Sequence, residues 1–285
     1  MGGNISVGVS DTDPPLKLRL GDMPESCVAL VLMYLDPPEI CKLAPLNRAF
    51  RAASSADFIW ESKLPPNYRY IVEKVFDEET LVKLGKRDIY ARLCGPNPFD
   101  NGTKELWLDK STGGVCLSIS SKGLRITGID DRRYWNHIST EESRFQTVAY
   151  LQQIWWLEAD GEFEFQFPAG TYSLYFRLQL GKSSKRRGRR VCNSEHIHGW
   201  EIKPVSFQLT TSDGQHAVSK CYLDNPGSWV NYHAGDFVVG STNASSMKIK
   251  FSLTQIDCTH TKGGLCVDSV FIYPKNVGKE SRLFL

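Results

Sequence analysis

Residues 20–66 read LGDMPESCVALVLMYLDPPEICKLAPLNRAFRAASSADFIWESKLPP, and apolar residues at helical spacing predict three or four short helices there. Two predicted helix starts, at Asp22 and Asp36, place aspartate at the N-cap, proline in the first turn and glutamate at N3. A unit of fewer than about 50 residues buries little surface, so we expect some apolar positions to dock on another protein. An ordinary helical subdomain that docks on its own chain is the alternative. The predicted docking residues are Leu20, Met23, Pro24, Val28, Leu32, Leu35, Ile40, Leu43 and Leu46.

The composition is that of a globular protein with a second, larger domain. Of the 285 residues, 41% are hydrophobic and 23% are charged, which suffices for one sizeable domain and a small one. No apolar run approaches the roughly 20 residues of a membrane span, and the first 20 residues lack the apolar core of a signal peptide. We therefore expect a protein of the cytoplasm and the nucleus.

Changes of pattern along the chain predict an α+β multidomain fold. Helical spacing stops at Gly95-Pro-Asn-Pro-Phe-Asp-Asn-Gly102, and strict alternation follows, as in Glu162-Phe-Glu-Phe-Gln-Phe167. Short alternating strands without long helices between them predict an antiparallel β-sandwich. Within it, Trp155 and Trp156 are expected in a strand, on opposite faces, with one in the core. The predicted parts are a flexible arm at 1–19, the helical unit at 20–66, a helical linker at 67–103, the sandwich at 104–276 and a tail at 277–285.

Two sets of motifs resemble known families. The helical unit is similar to the F-box of plant F-box proteins in Leu20-Gly-Asp-Met-Pro-Glu25, Leu35-Asp-Pro-Pro-Glu39, Leu46-Asn-Arg-Ala-Phe50 and Trp60. The later part, from about Glu105 to Pro274, resembles phloem protein 2 and the Nictaba-type lectins. Its motifs are Asp109–Gly113, Gly123–Thr127, Asp131–Trp135, Val148–Leu157, Gly199–Glu201, Trp229 with Gly235–Phe237, and Gly264–Pro274.

The two resemblances imply a substrate receptor of a ubiquitin ligase. An F-box binds the Skp-type adaptor and through it a cullin, here with the nine residues predicted to dock. The other part, which the resemblance implies to be an all-β lectin-like jelly-roll sandwich, would select the protein that is ubiquitinated. A carbohydrate-binding lectin that acts outside a ubiquitin ligase is the alternative.

The lectin resemblance also implies a ligand site at Trp135, Asn231 and Asp236, for N-acetylglucosamine oligomers or N-glycan cores. A sugar ring packs its apolar side on an aromatic face, while carboxylates and amides pair with its hydroxyls. The chain has Gly128 where the lectins have a stacking tryptophan, and Asn231 replaces an acidic residue of the family. We therefore expect weak glycan binding, and a target protein or glycoprotein in the same cleft.

The basic charge of the chain is concentrated in Lys182-Ser-Ser-Lys-Arg-Arg-Gly-Arg-Arg190. Removing the six positive charges of this run from the net charge of +2 leaves −4. Because the remainder is acidic and the run lacks interleaved aromatic residues, we expect no nucleic-acid binding. The run predicts a nuclear-import signal, with a phosphate-binding patch or a solvated surface loop as alternatives. The import residues would be Lys185, Arg186, Arg187, Arg189 and Arg190.

Neither catalysis nor a cofactor is expected. The sequence has no phosphate-binding glycine loop and no nucleophile elbow. Cys192, His196 and His198 lack a fourth ligand at the spacing of a zinc site, so no metal is predicted. Met1-Gly-Gly-Asn-Ile-Ser6 fits the pattern for myristoylation of Gly2, with an unmodified tail as the alternative. A single acyl chain gives only weak, reversible membrane association and no stable insertion.

Overall fold

The computed structural model describes residues 23–186, 189–193, 196–240 and 246–275, with helices preceding strands as the sequence predicts. The described helices are α1 (Glu25–Leu32), α2 (Pro37–Leu43), α3 (Arg48–Ala53), α4 (Asp57–Lys63), α5 (Tyr68–Val75), α6 (Glu78–Val82) and α7 (Lys86–Leu93). The described strands are β1 (Asn97–Phe99), β2 (Lys104–Leu108), β3 (Val115–Ser120), β4 (Arg125–Ile126), β5 (Trp135–Ser139), β6 (Thr147–Leu151), β7 (Leu157–Phe165), β8 (Gly170–Leu180), β9 (Lys182–Arg186), β10 (Arg189–Asn193), β11 (Val205–Thr211), β12 (His216–Cys221), β13 (Trp229–Val239), β14 (Met247–Gln255) and β15 (Leu265–Pro274).

The helix starts agree with the predicted caps in one case of two. Helix α2 begins directly after Asp36, as predicted, although the aspartate side chain makes no capping hydrogen bond. Helix α1 begins at Glu25, and its N-cap is Pro24, whose ψ of 144° is extended. The predicted cap Asp22 lies outside the described residues. An extended Pro24 cannot be part of a helix, so the first helix starts later than its sequence signature indicates.

The linker contains three separate helices, α5, α6 and α7, whereas its periodicity suggests a more continuous helix. Its end already belongs to the sheet, since β1 pairs with β2 through Asn97 and Leu106. The Asn97 side chain ties the turn together by donating to the Gly95 carbonyl at 2.7 Å and the Leu106 carbonyl at 3.1 Å. The first strand therefore lies before the boundary predicted at residue 104.

Two antiparallel sheets form the later part of the chain. The larger sheet has the order β1-β2-β3-β15-β6-β5, and β8 also pairs with β15 and continues to β13. The smaller sheet has the order β12-β11-β14-β7-β4. Strand β7 alternates between buried and more exposed residues, as its sequence predicts. Aromatic residues join the two sheets: the ring centroid of Phe176 lies 5.4 Å from that of Phe207 and 6.0 Å from that of Phe251.

The helices pack against one end of the two sheets, where β7 ends. The ring centroid of Tyr70 lies 5.2 Å from that of Phe165, and the Asn67 side-chain amide donates to the Gln166 carbonyl. Buried residues of both parts belong to one continuous apolar core. The position of the helical unit relative to the sheets is therefore set by side-chain packing as well as by the connecting chain.

The backbone of the basic run has regular structure, which leaves the alternative of a solvated insertion between strands open. Its backbone forms the two-stranded ribbon of β9 and β10, in which Arg186 pairs with Arg189 and Lys185 with Arg190. Like charges at directly opposed positions of an antiparallel pair are unfavourable. The ribbon therefore concentrates the positive charge of the run at paired positions.

Candidate functional site

The helical unit carries an exposed apolar surface on α1, α4 and the turns beside them. A groove of about 490 Å³ lies between α1 and the start of α4, and its apolar walls include Ala29, Leu30 and Phe58. Besides Leu30 and Phe58, three further large apolar side chains among the described residues of the helical unit are exposed to solvent. We call this set the helical patch; its members are Leu30, Val31, Tyr34, Leu46 and Phe58. Exposed clusters of large apolar residues mark interaction surfaces.

The residues predicted to dock fall into different environments. Those exposed to solvent are Pro24 and Leu46. Those in the core are Val28, Leu32 and Ile40, and those partly buried against it are Met23, Leu35 and Leu43. Leu20 lies outside the described residues. The buried members therefore hold the helices together beneath the surface that a partner would contact.

Of the helical patch, the residues predicted to dock include Leu46 but not Leu30, Val31, Tyr34 or Phe58. The prediction followed the stripe of Val28 and Leu32, and helical spacing identifies the side that packs on the protein's own core. The available signal was an excess of apolar residues: Leu30 lies off that stripe in the same helix, and Val31, which was expected on the stripe, is exposed.

Trp135 presents no ring face to solvent. Its side chain is 1% exposed, and its indole nitrogen donates to the Thr127 carbonyl at 3.0 Å. In this conformation the ring packs in the core and cannot stack on a sugar. Gly128 nearby has a φ of +75°, and a Cβ there would lie 3.2 Å from the Tyr134 ring. Both the backbone conformation and the space thus favour glycine at position 128.

Asp236 belongs to a polar cluster at the edge of a cavity of about 370 Å³. Its carboxylate accepts hydrogen bonds from the Ser173 hydroxyl at 2.6 Å and the Lys275 ammonium at 2.9 Å, and lies 2.7 Å from His233 Nε2. Burial alone would raise the pKa of Asp236, but the hydrogen bonds from Lys275, Ser173 and His233 lower it to about 2. The carboxylate is therefore ionised and already engaged by side chains of the protein.

The three residues predicted to share a ligand site do not come together. Through strand pairing Trp135 lies level with Leu265 of β15, whereas Asp236 lies level with Tyr273. Eight residues of β15 separate these levels, which is about 26 Å at the rise of a strand. Asn231 lies between them on β13, paired with Arg177. A single small-molecule cleft cannot include Trp135 and Asp236.

The tryptophans at 155 and 156 are both on the surface, contrary to the expected alternation. Trp155 is 53% exposed and Trp156 is 44% exposed. Both lie in a bend between Ile154 and the start of β7, so the alternation of an extended strand does not apply to them. The structure therefore corrects the prediction that one of them is in the core.

A buried ion pair fixes the outer face of the larger sheet. Arg177 donates to the Asp268 carboxylate at 2.6 Å and to the Glu142 carbonyl at 2.8 Å. The Arg177 guanidinium also lies 4.6 Å from the ring centroid of Trp229, whose indole nitrogen donates to the Glu142 carboxylate at 2.7 Å. Because both charges are buried and multiply bonded, removal of either partner would leave an uncompensated buried charge and be strongly destabilising.

Several predicted sites lie where the structure gives no side-chain description. Gly2 lies outside the described residues, and of the basic ribbon only the backbone of 182–186 and 189–193 is described. In the described part of the chain, no three histidine, cysteine or acidic residues are grouped so as to hold a metal. None of the described helices is long and apolar enough to span a membrane.

Comparison with known proteins decides the family. The family model for phloem protein 2 matches residues 114–274. F-box protein PP2-A13 of Arabidopsis thaliana is 70% identical over 98% of this chain and 98% of its own length. The chain belongs to the F-box proteins with a phloem protein 2 domain. The resemblance found in the sequence motifs is thereby confirmed.

Other members of this family are similar over nearly the whole chain. F-box protein PP2-A12 of Arabidopsis thaliana is 62% identical over 94% of this chain and 92% of its own length. F-box protein PP2-B15 of the same organism is 27% identical over 89% and 96%. Among solved structures, a family 35 carbohydrate-binding module from Clostridium thermocellum covers 55% of this chain and 96% of its own, at 9% identity and a TM-score of 0.32. No conclusion is drawn from so distant a likeness.

Proposed function

We propose that this chain is the substrate-recognition subunit of a Skp-cullin-F-box ubiquitin ligase. Its helical unit docks on the Skp-type adaptor, and its β-sandwich binds a target protein or glycoprotein. The observation that carries the proposal is the helical patch, an exposed apolar surface on a unit whose core is otherwise closed. The names of the relatives, which are F-box proteins, support the same partner.

The chain contributes proximity to the reaction and carries out no bond chemistry itself. A target held beside the ubiquitin-loaded enzyme reacts at a high effective concentration. That effect depends on geometry, because simultaneous engagement must be possible. The continuous core between helices and sheets supports such a role, since a docked adaptor and a bound target would keep a defined separation.

Co-purification with a Skp-type adaptor tests the proposal. Leu30→Ala and Phe58→Ala each remove an exposed side chain that lines the groove of the helical patch. Each is expected to weaken adaptor binding at least about tenfold, because anchors of an apolar interface contribute about 2 kcal/mol or more. Val82→Ala is the matched control, since Val82 on α6 is exposed but outside the patch.

A buried position provides the second comparison. Ile40→Ala removes a fully buried side chain and should lower stability by about 2–5 kcal/mol. The Leu30 and Phe58 variants should instead retain the circular dichroism spectrum and melting temperature of the parent. Full adaptor binding by a folded double variant, Leu30→Ala with Phe58→Ala, would contradict the proposed function.

A further inference from the structure

Strand β12 is the outermost strand of the five-stranded sheet and pairs with β11 on one side only. The turn before it closes with a hydrogen bond from the Thr211 amide to the Gln215 carbonyl at 3.0 Å. In an antiparallel pair, hydrogen bonding to one neighbour alternates along the strand. Counting on from Gln215, the residues whose backbone amides and carbonyls point away from β11 are His216, Val218 and Lys220, which we call the open edge.

The backbone groups of the open edge are unpaired. No hydrogen bond in the described part of the chain uses the amide or carbonyl of any of its three residues. The three amides and three carbonyls extend over about 14 Å, at about 3.4 Å per residue. The side chains of these residues are exposed as well, and Val218 is 48% exposed. Such a row of alternating donors and acceptors is complementary to the backbone of another β-strand.

The neighbouring edge of the other sheet is closed by side chains of the protein. Strand β13 pairs with β8 and with no other described strand. The Gln215 side-chain amide donates to the Val238 carbonyl and accepts from the Val238 amide, both at 2.7 Å. The Ser219 hydroxyl donates to the His233 carbonyl at 2.7 Å. Side chains of β12 and its turn thus take the place of a strand beside β13, whereas the backbone of β12 itself is left open.

The inner side of β12 has room for the side chains of an added strand. Its inward-facing residues are small: Ala217, Ser219 and Cys221, all partly buried. Ala217 and Cys221, together with Tyr232 of β13, pack against the apolar core. An apolar side chain on the inner side of an added strand would therefore extend this core outward and lose contact with water.

The charge of the strand distinguishes a target from a second copy of this chain. Strand β12 carries His216 and Lys220 but no acidic residue, and Lys220 has no ion pair among the described residues. Opposite charges directly across two strands are stabilising, and like charges are destabilising. A second copy paired through its own open edge would bring only basic groups. An acidic side chain on a different protein would instead pair with Lys220.

We propose that the open edge binds an extended segment of the target protein as an additional antiparallel β-strand, with an acidic residue opposite Lys220. The inference rests on the proposed function and names its target-binding surface. Backbone hydrogen bonds provide affinity in this mode of recognition, and alternate side chains provide specificity. The helices contact β7 at Phe165, and β7 is three strand spacings, about 14 Å, from β12. A target strand beside β12 would leave the helical patch accessible to the adaptor.

Fluorescence anisotropy with the full chain tests the pairing. The probe is a labelled seven-residue peptide in which threonine alternates with valine and the third residue is aspartate. With the aspartate opposite Lys220, the amides of its third, fifth and seventh residues point toward the open edge. N-methylation of these three amides should weaken binding at least about tenfold, because three hydrogen bonds are lost. N-methylation of the second, fourth and sixth amides, which point away, should leave binding unchanged.

Substitutions test the edge from the side of the protein. Val218→Pro removes the central outward amide, which an edge strand tolerates, and should weaken binding of the probe at least about tenfold. His137→Pro is the matched control and should have no effect. His137 lies on β5, the edge strand of the larger sheet, and the hydrogen bond from the Thr140 amide to the Gln146 carbonyl places the His137 amide on the outer side. Lys220→Glu should weaken the probe about two- to fivefold and strengthen a probe with lysine in place of aspartate to a similar extent.

Equal binding of the two methylated peptides would overturn the inference, and this comparison on the parent chain decides even if Val218→Pro does not fold. Full binding by a folded Val218→Pro variant would also overturn it. So would a dimer in sedimentation that Val218→Pro abolishes, because a second copy would then occupy the edge. Adaptor co-purification is measured on the same preparations and should be unaffected by these substitutions. A parent chain that binds the probe but not the adaptor would contradict the proposed ligase role alone, so the two failures are distinguishable.

Discussion

Replacement of Lys262 with methionine tests whether its ammonium joins the loops at the end of the sandwich. The substitution keeps the length and apolar stem of the side chain but removes three hydrogen bonds to carbonyls. The Gln255 carbonyl is buried, and leaving it without this donor costs about 1–3 kcal/mol. The carbonyls of Trp155 and Asp257 are partly accessible and can bind water, so each loses about 0.5 kcal/mol.

One effect acts in the opposite direction. Burial lowers the pKa of Lys262, which shows that its ammonium carries a desolvation penalty that methionine would relieve. Allowing about 1 kcal/mol for this relief leaves a net destabilisation of about 2 kcal/mol. For a domain of this size the melting temperature should then fall by about 4–8 °C.

Thermal and urea unfolding of the full chain measure this change. Lys248→Met is the matched control, because Lys248 forms an exposed pair with Glu162 at 3.0 Å. Exposed pairs contribute about 0–1 kcal/mol, so the control should lose no more than about 1 kcal/mol. If Lys262→Met is as stable as the control, the ammonium does not fasten these loops.

Asp268→Asn should lower stability by about 3–5 kcal/mol because it leaves the buried Arg177 charge without its carboxylate; a loss below about 1 kcal/mol in urea unfolding would contradict this. The folded-state pKa of Asp236, about 2, lies below the unfolded value of about 3.9, so its stabilising contribution is complete above pH 4 and is lost as the pH falls to 2. Asp236→Asn should therefore flatten the pH dependence of stability between pH 4 and 2, and an unchanged slope would disprove it. Replacement of the arginines of the 182–190 run with glutamine should deplete the nuclear pool of a fluorescent fusion, whereas an unchanged distribution leaves only a solvated ribbon. Titration with chitin oligomers should show no binding tighter than the millimolar range, and micromolar binding by the parent chain would refute this. Gly128→Trp should reduce stability without restoring affinity, because φ is +75° there.

Periodicity predicted the parts of the fold in which one face of an element is buried. The alternation of Glu162–Phe167 identified the end of β7, and the stripe of Val28 and Leu32 identified the buried side of α1. These patterns reflect the protein's own core, which is why they did not reveal Leu30 or Tyr34. A side chain that contacts a partner does not follow the periodicity of the buried face of its own helix or strand.

Loops and long-range pairing account for the other differences. Trp155 and Trp156 are exposed because the chain bends before β7. No alternation can predict this bend, which Lys262 holds through a hydrogen bond to the Trp155 carbonyl, 107 residues earlier in the chain. Lysine is usually a surface residue, so the sequence did not identify Lys262 as buried. Trp135 and Asp236 were grouped by resemblance, but strand order puts them at different ends of β15.

The contact between helices and sandwich determines how the helical patch is oriented relative to the two sheets. At this contact Gly113 has a φ of +66°, and a Cβ there would lie 2.6 Å from the Lys63 carbonyl oxygen. The loop between β2 and β3 thus approaches the end of α4 so closely that position 113 has no room for a Cβ atom. Close packing resists deformation, so the position of the helical patch relative to the sandwich would change little when a partner binds. If the proposed function holds, such a receptor would present its target to a ubiquitin-loaded enzyme in one orientation, and the positions of the lysines on the target would decide which lysines are modified.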